Sequence, residues 1–135
     1  MIRRKVLLLS AIVLLLQACE DADQPREPAW GKERCGNCSM VVGDRRFAGQ
    51  AIGPRDERLF FDDPGCLATY VSNHPHSRHA WVLSRGQWLE AASARFEPGA
   101  RSPMDYGFEA TPDGKLEFSA VQSAAQALNA QGARR

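Results

Sequence analysis

The opening of this chain limits its fold more than anything after it, because residues 1–19 hold the most apolar stretch and remove it from the folded part. Arg3-Arg4-Lys5 precedes the run from Val6 to Leu16, interrupted only by Ser10, and Leu16-Gln17-Ala18-Cys19 follows. As a helix this run rises only about 16 Å, half of a bilayer's hydrocarbon core, so it reads as the apolar region of a signal peptide rather than a membrane span. Leu16-Gln17-Ala18-Cys19 has the form of a bacterial lipobox. Residues 1–18 are therefore expected to be a lipoprotein signal peptide and Cys19 the lipidated N-terminus, anchored by two or more acyl chains.

Of the 135 residues, 44% are hydrophobic and 24% charged, which fits one globular domain. The net charge of +1 becomes −2 without Arg3, Arg4 and Lys5. That balance excludes a strongly basic nucleic-acid binder and a long acidic tail. Residues 20–34 carry Glu20, Asp21, Asp23, Pro25, Glu27 and Pro28 and little apolar material before Trp30, so residues 19–34 read as a lipidated end and a solvated tether. The compact domain is expected over 35–132.

Within it, 47–52 and 58–61 alternate as two strands around the turn Gly53-Pro54-Arg55-Asp56. Asp63 can cap a helix with Pro64 in its first turn, carrying Leu67, Tyr70 and Val71 on one face until Asn73 and Pro75 stop it. Residues 80–83 form a further strand. The second half offers strands at 87–89, 94–96, 106–110 and 115–118, the last two flanking Thr111-Pro112-Asp113-Gly114. A helix capped by Ser119 then carries Val121, Ala124, Ala125 and Leu128 and ends at Gly132. The expected fold is α+β, a small single domain of two strand-strand-helix-strand-like halves around one core.

With Cys19 lipidated, Cys35, Cys38 and Cys66 remain, an odd number for an exported protein, which favours a metal or redox task for at least one thiol. In Cys35-Gly36-Asn37-Cys38-Ser39-Met40 the C-x-x-C spacing lets two sulfurs converge, and Met40 follows Cys38 at strand spacing. Thiolates with a thioether are the donors that select Cu(I). The same spacing serves zinc sites, redox pairs and plain disulfides. Met104 lies in the turn-forming Ser102-Pro103-Met104-Asp105-Tyr106-Gly107, where core filling is a poor explanation for a methionine. Cys66, in the first helical turn, reads as a small residue packing the helix onto the sheet, although a helix start also lowers a solvated thiol's pKa. His74, His76 and His79 read as a solvated loop, Asp62 and Asp63 as capping and turn residues, and Trp30, Trp81 and Trp88 as core and rim aromatics.

These segments resemble the NosL family, the lipoprotein accessory factors encoded with nitrous oxide reductase. The likeness rests on Cys35-x-x-Cys38-x-Met40-Val41, Arg46-Phe47-Ala48-Gly49-Gln50, Phe61-Asp62-Asp63-Pro64-Gly65-Cys66 and Ser102-Pro103-Met104-x-Tyr106-Gly107, in that order. It implies a periplasm-facing, lipid-anchored copper chaperone of denitrification rather than an enzyme, binding Cu(I) and delivering it for nitrous oxide reductase maturation. The metal ligands it implies are Cys38 and Met104 first, then Cys35 and Met40. Ser39 and Asp105 depart from the pattern, each standing where the family often has glycine. A homodimer sharing the ion is one arrangement such an open site allows. Two readings from other classes compete: a structural zinc module using Cys35, Cys38, Cys66 and a histidine, and a thiol-disulfide oxidoreductase using Cys35 and Cys38.

Overall fold

The computed structural model describes residues 23–132; the expected signal peptide and Cys19 lie outside the described residues. Strands β1 (Gly49–Ile52), β2 (Arg58–Phe61), β3 (His79–Ser84) and β4 (Gln87–Glu90) form an antiparallel sheet in the order β2-β1-β3-β4. A 3-10 turn (Ala91–Ser93) leads to a two-stranded sheet of β5 (Phe96–Pro98) and β6 (Phe108–Ala110). Helix α1 (Pro64–Asn73) separates β2 from β3, and α2 (Phe118–Ala130) closes the chain. This is the expected α+β single domain. Its first half runs strand-strand-helix-strand; the likeness of the second half extends to β5-β6-α2, with no closing strand among the described residues. Among these residues no helix is long and apolar enough to cross a membrane.

The central strand β1 is buried along its whole length, so both faces must be covered. Gly49 pairs with Phe61 and Val82 and touches Leu67, which places α1 on that face. Cys66, Leu67 and Tyr70 of α1 are buried there, and Tyr70 meets Phe61 with ring centroids 5.3 Å apart. Asp63 caps α1 as its sequence suggests, its side chain accepting from the Gly65 amide, with Pro64 in the first turn. Helix α2 adds Val121, Ala125 and Phe118 to the same core, and Phe96 stacks obliquely on Phe118 at 5.9 Å.

On the opposite face lie Phe60, Gln50 and Trp81, paired in one row across β2, β1 and β3. Residues 24–30, expected to be a solvated tether, cross this row as a strap. The buried Gln50 side chain accepts from the Arg26 amide and donates to the Arg26 carbonyl, at 3.1 and 2.9 Å. Arg58 donates to the Gln24 carbonyl at 2.8 Å, and the Glu27 carboxylate accepts from both Trp30 and Trp88. The charged composition that suggested a free tether is what pairs with Gln50, Arg58 and the two indoles, because a buried glutamine needs backbone partners.

Two local expectations fail for one reason. Residues 115–118 do not form a hairpin strand with 106–110; β6 pairs instead with β5, and Leu116 makes only a single bridge to Phe96. Phe118 therefore opens α2 with Glu117 as its N-cap, not Ser119. Burying Phe118 against Phe96 outweighs the local turn pattern. Glycine 132, at φ +66°, ends α2 as expected.

Candidate metal centre

Three chain segments meet at the N-terminus of α1. Residues 34–41 form a tight loop closed by a bridge between Arg34 and Val41, with the Cys35 amide donating to the Met40 carbonyl at 2.7 Å and Ser39 to Cys35 at 3.0 Å. The loop docks on β2 through Gly36, whose amide donates to the Phe60 carbonyl at 2.8 Å. A Cβ at Gly36 would stand 2.9 Å from a Leu59 methyl, so glycine permits this approach. Asp62 follows β2 directly, and Cys66 sits in the first turn of α1.

The result is a cluster of Cys35, Cys38, Cys66 and Asp62 whose ligand atoms all lie within 4.8 Å of one another. Around an ion with metal–sulfur bonds of about 2.3 Å, tetrahedral geometry sets sulfur–sulfur edges of about 3.8 Å, so small side-chain movements close these donors on a metal. This group can hold a metal ion. Cys66 and Asp62 are the members that the sequence reading assigned to packing and to capping. Cys66 is indeed buried at the helix–sheet contact, but its sulfur also faces the C-x-x-C loop. The motif running from Phe61 to Cys66 contained both residues; their spacing puts one before the cap and the other just after it.

The loop is also built to carry negative charge on sulfur. Cys35 is almost fully buried, yet its thiol is lowered to about 7 because the Cys66 thiol and the amides of Cys38, Asn37 and Asp62 donate to it. Burial pushes the half-buried Cys38 thiol up to about 12, and the Cys35 sulfur beside it adds to the rise. The Cys66 thiol is pushed up strongly, first by its hydrogen bond to Cys35 and then by burial. Of the three sulfurs, Cys35 is thus the one that ionises first. The Cys38 thiol donates to Asp62 Oδ1 at 3.3 Å.

A pH dependence follows. Folding lowers the Cys35 pKa, so this group adds stability above the unfolded thiol value of about 8.5 and loses it as pH falls through about 7. Ultraviolet thiolate absorbance of the metal-free chain should titrate with one thiolate per chain near pH 7 and lose that step in Cys35→Ser. A wild-type chain with no thiolate below pH 8, about where free thiols begin to ionise, would contradict the cradle.

Above the cluster opens a cleft of about 540 Å³ lined by Asn37, Cys38, Met40, Thr69, Met104, Tyr106 and Asn129. Both methionines singled out from the sequence therefore share a cleft with Cys38, although they lie 64 positions apart in the chain. Met104 is fixed there by Asp63, which is fully buried: its Oδ1 accepts from the Gly65 amide at 2.8 Å and its Oδ2 from the Met104 amide at 2.9 Å. Burial raises the Asp63 pKa, against hydrogen bonds from Ser102, Gly65 and Met104. Far from being only a cap, Asp63 ties the 102–107 loop to the helix that carries Cys66.

Ser39 and Asp105 both adopt left-handed backbone, at φ 66° and φ 55°. An L-residue there costs about 1 kcal/mol, whereas glycine enters freely. Ser39→Gly should accordingly stabilise the chain by up to about 1 kcal/mol, raising the melting temperature by about 4 °C. Its hydrogen bonds in the loop use only its own amide and carbonyl, the carbonyl accepting from the Arg34 guanidinium, and survive the change. A melting temperature below wild type would contradict the strain.

None of the histidines joins the cluster among the described residues. His74 stacks on Tyr70 and contacts the Tyr70 carbonyl, and His79 stacks on Trp81 between Asp23 and Glu90. A zinc module with a histidine as fourth ligand is thereby corrected: the fourth group beside the three cysteines is Asp62.

The fold and the cluster define an α+β domain with a sulfur-rich, metal-competent centre at a helix start. No family model, no curated protein and no solved structure matches the chain.

Proposed function

We propose that this chain is a Cu(I) carrier of the NosL kind, a lipid-anchored, periplasm-facing binding protein rather than an enzyme, which passes copper on for nitrous oxide reductase maturation. One observation carries the reading: Cys38 belongs at once to the buried three-cysteine cluster and to an open cleft lined by Met40 and Met104. Thiols and thioethers in one place form a soft donor set matched to Cu(I). A carrier also needs ligands that a recipient can reach, and the half-buried Cys38 and the exposed Met40 supply them. With Cys19 as the anchor, at most about 17 Å of extended chain separates the lipid from Gln24, where the strap begins, so delivery would take place close to the membrane.

Asp62 supports a second reading, zinc held by Cys35, Cys38, Cys66 and Asp62, since a carboxylate is an ordinary fourth zinc ligand. The core argues for the carrier. Phe47, Phe61, Phe96, Leu67, Leu83 and Val121 form a sizeable buried core, whereas small closed zinc modules lack one and depend on their ion to fold. The test is anaerobic competition for Cu(I) against a chromophoric chelator, alongside melting of the metal-free chain. Stoichiometric Cu(I) uptake by a domain that is already folded is expected. A chain that unfolds on zinc removal and takes no Cu(I) would replace the carrier with the zinc module.

A further inference from the structure

Resting on the Cu(I) reading, we propose that the chain offers the ion two successive positions that share Cys38: an outer one in the cleft with Met40 and Met104, and an inner one among Cys35, Cys38, Cys66 and Asp62. The layering of the donors leads to this. Met40 is 56% exposed, Cys38 half-buried, Cys35 3% exposed and Cys66 0%. The cleft is lined by Cys38 but by neither of the other cysteines nor by Asp62. An ion arriving from outside therefore meets thioethers and one thiol, and reaches the other two sulfurs only past Cys38.

The two positions differ in chemistry as well as depth. Thioethers are neutral donors that need not lose a proton, so they capture Cu(I) readily and hold it loosely. Thiols bind it as thiolates, hold it tightly and release their protons as they do so. Inward movement breaks the copper–thioether bonds, keeps the copper–sulfur bond to Cys38 and forms bonds to Cys35 and Cys66. The copper stays cuprous throughout. Cys35 binds as the thiolate, and the protons of Cys38 and Cys66 leave to solvent as their sulfurs bind copper. Asn37 belongs to both layers, lining the cleft while its side-chain amide donates to the Cys66 sulfur. The outer position suits exchange with a recipient, and the inner one retention between encounters.

Release kinetics test this. The full chain, loaded anaerobically with one equivalent of Cu(I), is mixed with a chromophoric chelator. Wild type should release slowly from the inner position, and Cys66→Ser should release at least about tenfold faster while still binding. The double variant Met40→Leu, Met104→Leu should load about tenfold more slowly, because it removes the way in and not the store. Melting of metal-free Cys66→Ser and Cys66→Ala guards against misfolding. Independently of any variant, the Cβ resonance of carbon-labelled Cys66 should move in wild type at one equivalent. A Cys66 resonance that stays put, or a Cys66→Ser that releases at the wild-type rate, would overturn the inner position while leaving the carrier intact. A wild type that takes up no Cu(I) would overturn the carrier as well.

Discussion

Replacing Cys38 by serine is expected to weaken Cu(I) binding by about a hundredfold or more, close to 3 kcal/mol, with the fold unchanged. Cys38 is the one donor common to the buried cluster and the open cleft, so its loss removes a ligand from every arrangement the chain can offer. Serine keeps the hydrogen bond to Asp62 Oδ1 and nearly the same volume, but its hydroxyl is a hard donor that does not ionise near neutral pH. The melting temperature of the metal-free variant should therefore stay near wild type while chelator competition shows the loss. Affinity within about threefold of wild type would mean that copper binds elsewhere.

Gly65→Ala should have the largest effect on stability. A Cβ at this position would stand 2.0 Å from Cγ of Tyr106 and 2.4 Å from its Cβ and Cδ2. The ring is held in place. It is 6% exposed, and its hydroxyl donates to Asn129 Oδ1 on α2 at 2.8 Å. Overpacking of this kind costs about 3 kcal/mol, which in a domain of this size lowers the melting temperature by about 15 °C. Because the loop carrying Tyr106 also carries Met104, the substitution should slow Cu(I) loading too. Gly43→Ala is the control: nothing lies within 4 Å of its Cβ and its φ is not positive, so its stability should be unchanged or slightly raised. Equal melting of the two variants would refute the packing of the 102–107 loop on α1.

The elements with strong local signals were legible in the sequence. Asp63-Pro64 announced α1, the alternation on either side of residues 53–56 announced the β1-β2 hairpin, and Gly132 marked the end of α2. What local pattern could not give was partner choice. β6 pairs with β5 rather than across the nearer turn, and Phe118 joins a helix because it packs on Phe96. The strap at 24–30 was hidden for a similar reason, since its polar residues find their partners on strands far along the chain. For the site, C-x-x-C and the two methionines stood out as soft donors. Cys66 and Asp62 did not, because a small residue in a first helical turn and an acid before a cap have simpler local explanations. Only the docking of the 34–41 loop on β2, through the Gly36 amide and the Phe60 carbonyl, turns them toward Cys35 and Cys38.

X-ray absorption at the copper edge, on the full chain loaded anaerobically with one equivalent of Cu(I), tests the proposed centre most directly. The gathering of Cys35, Cys38 and Cys66 from separate segments, with Met40 and Met104 in the adjoining cleft, predicts a coordination shell dominated by sulfur. A shell dominated by nitrogen and oxygen would contradict it.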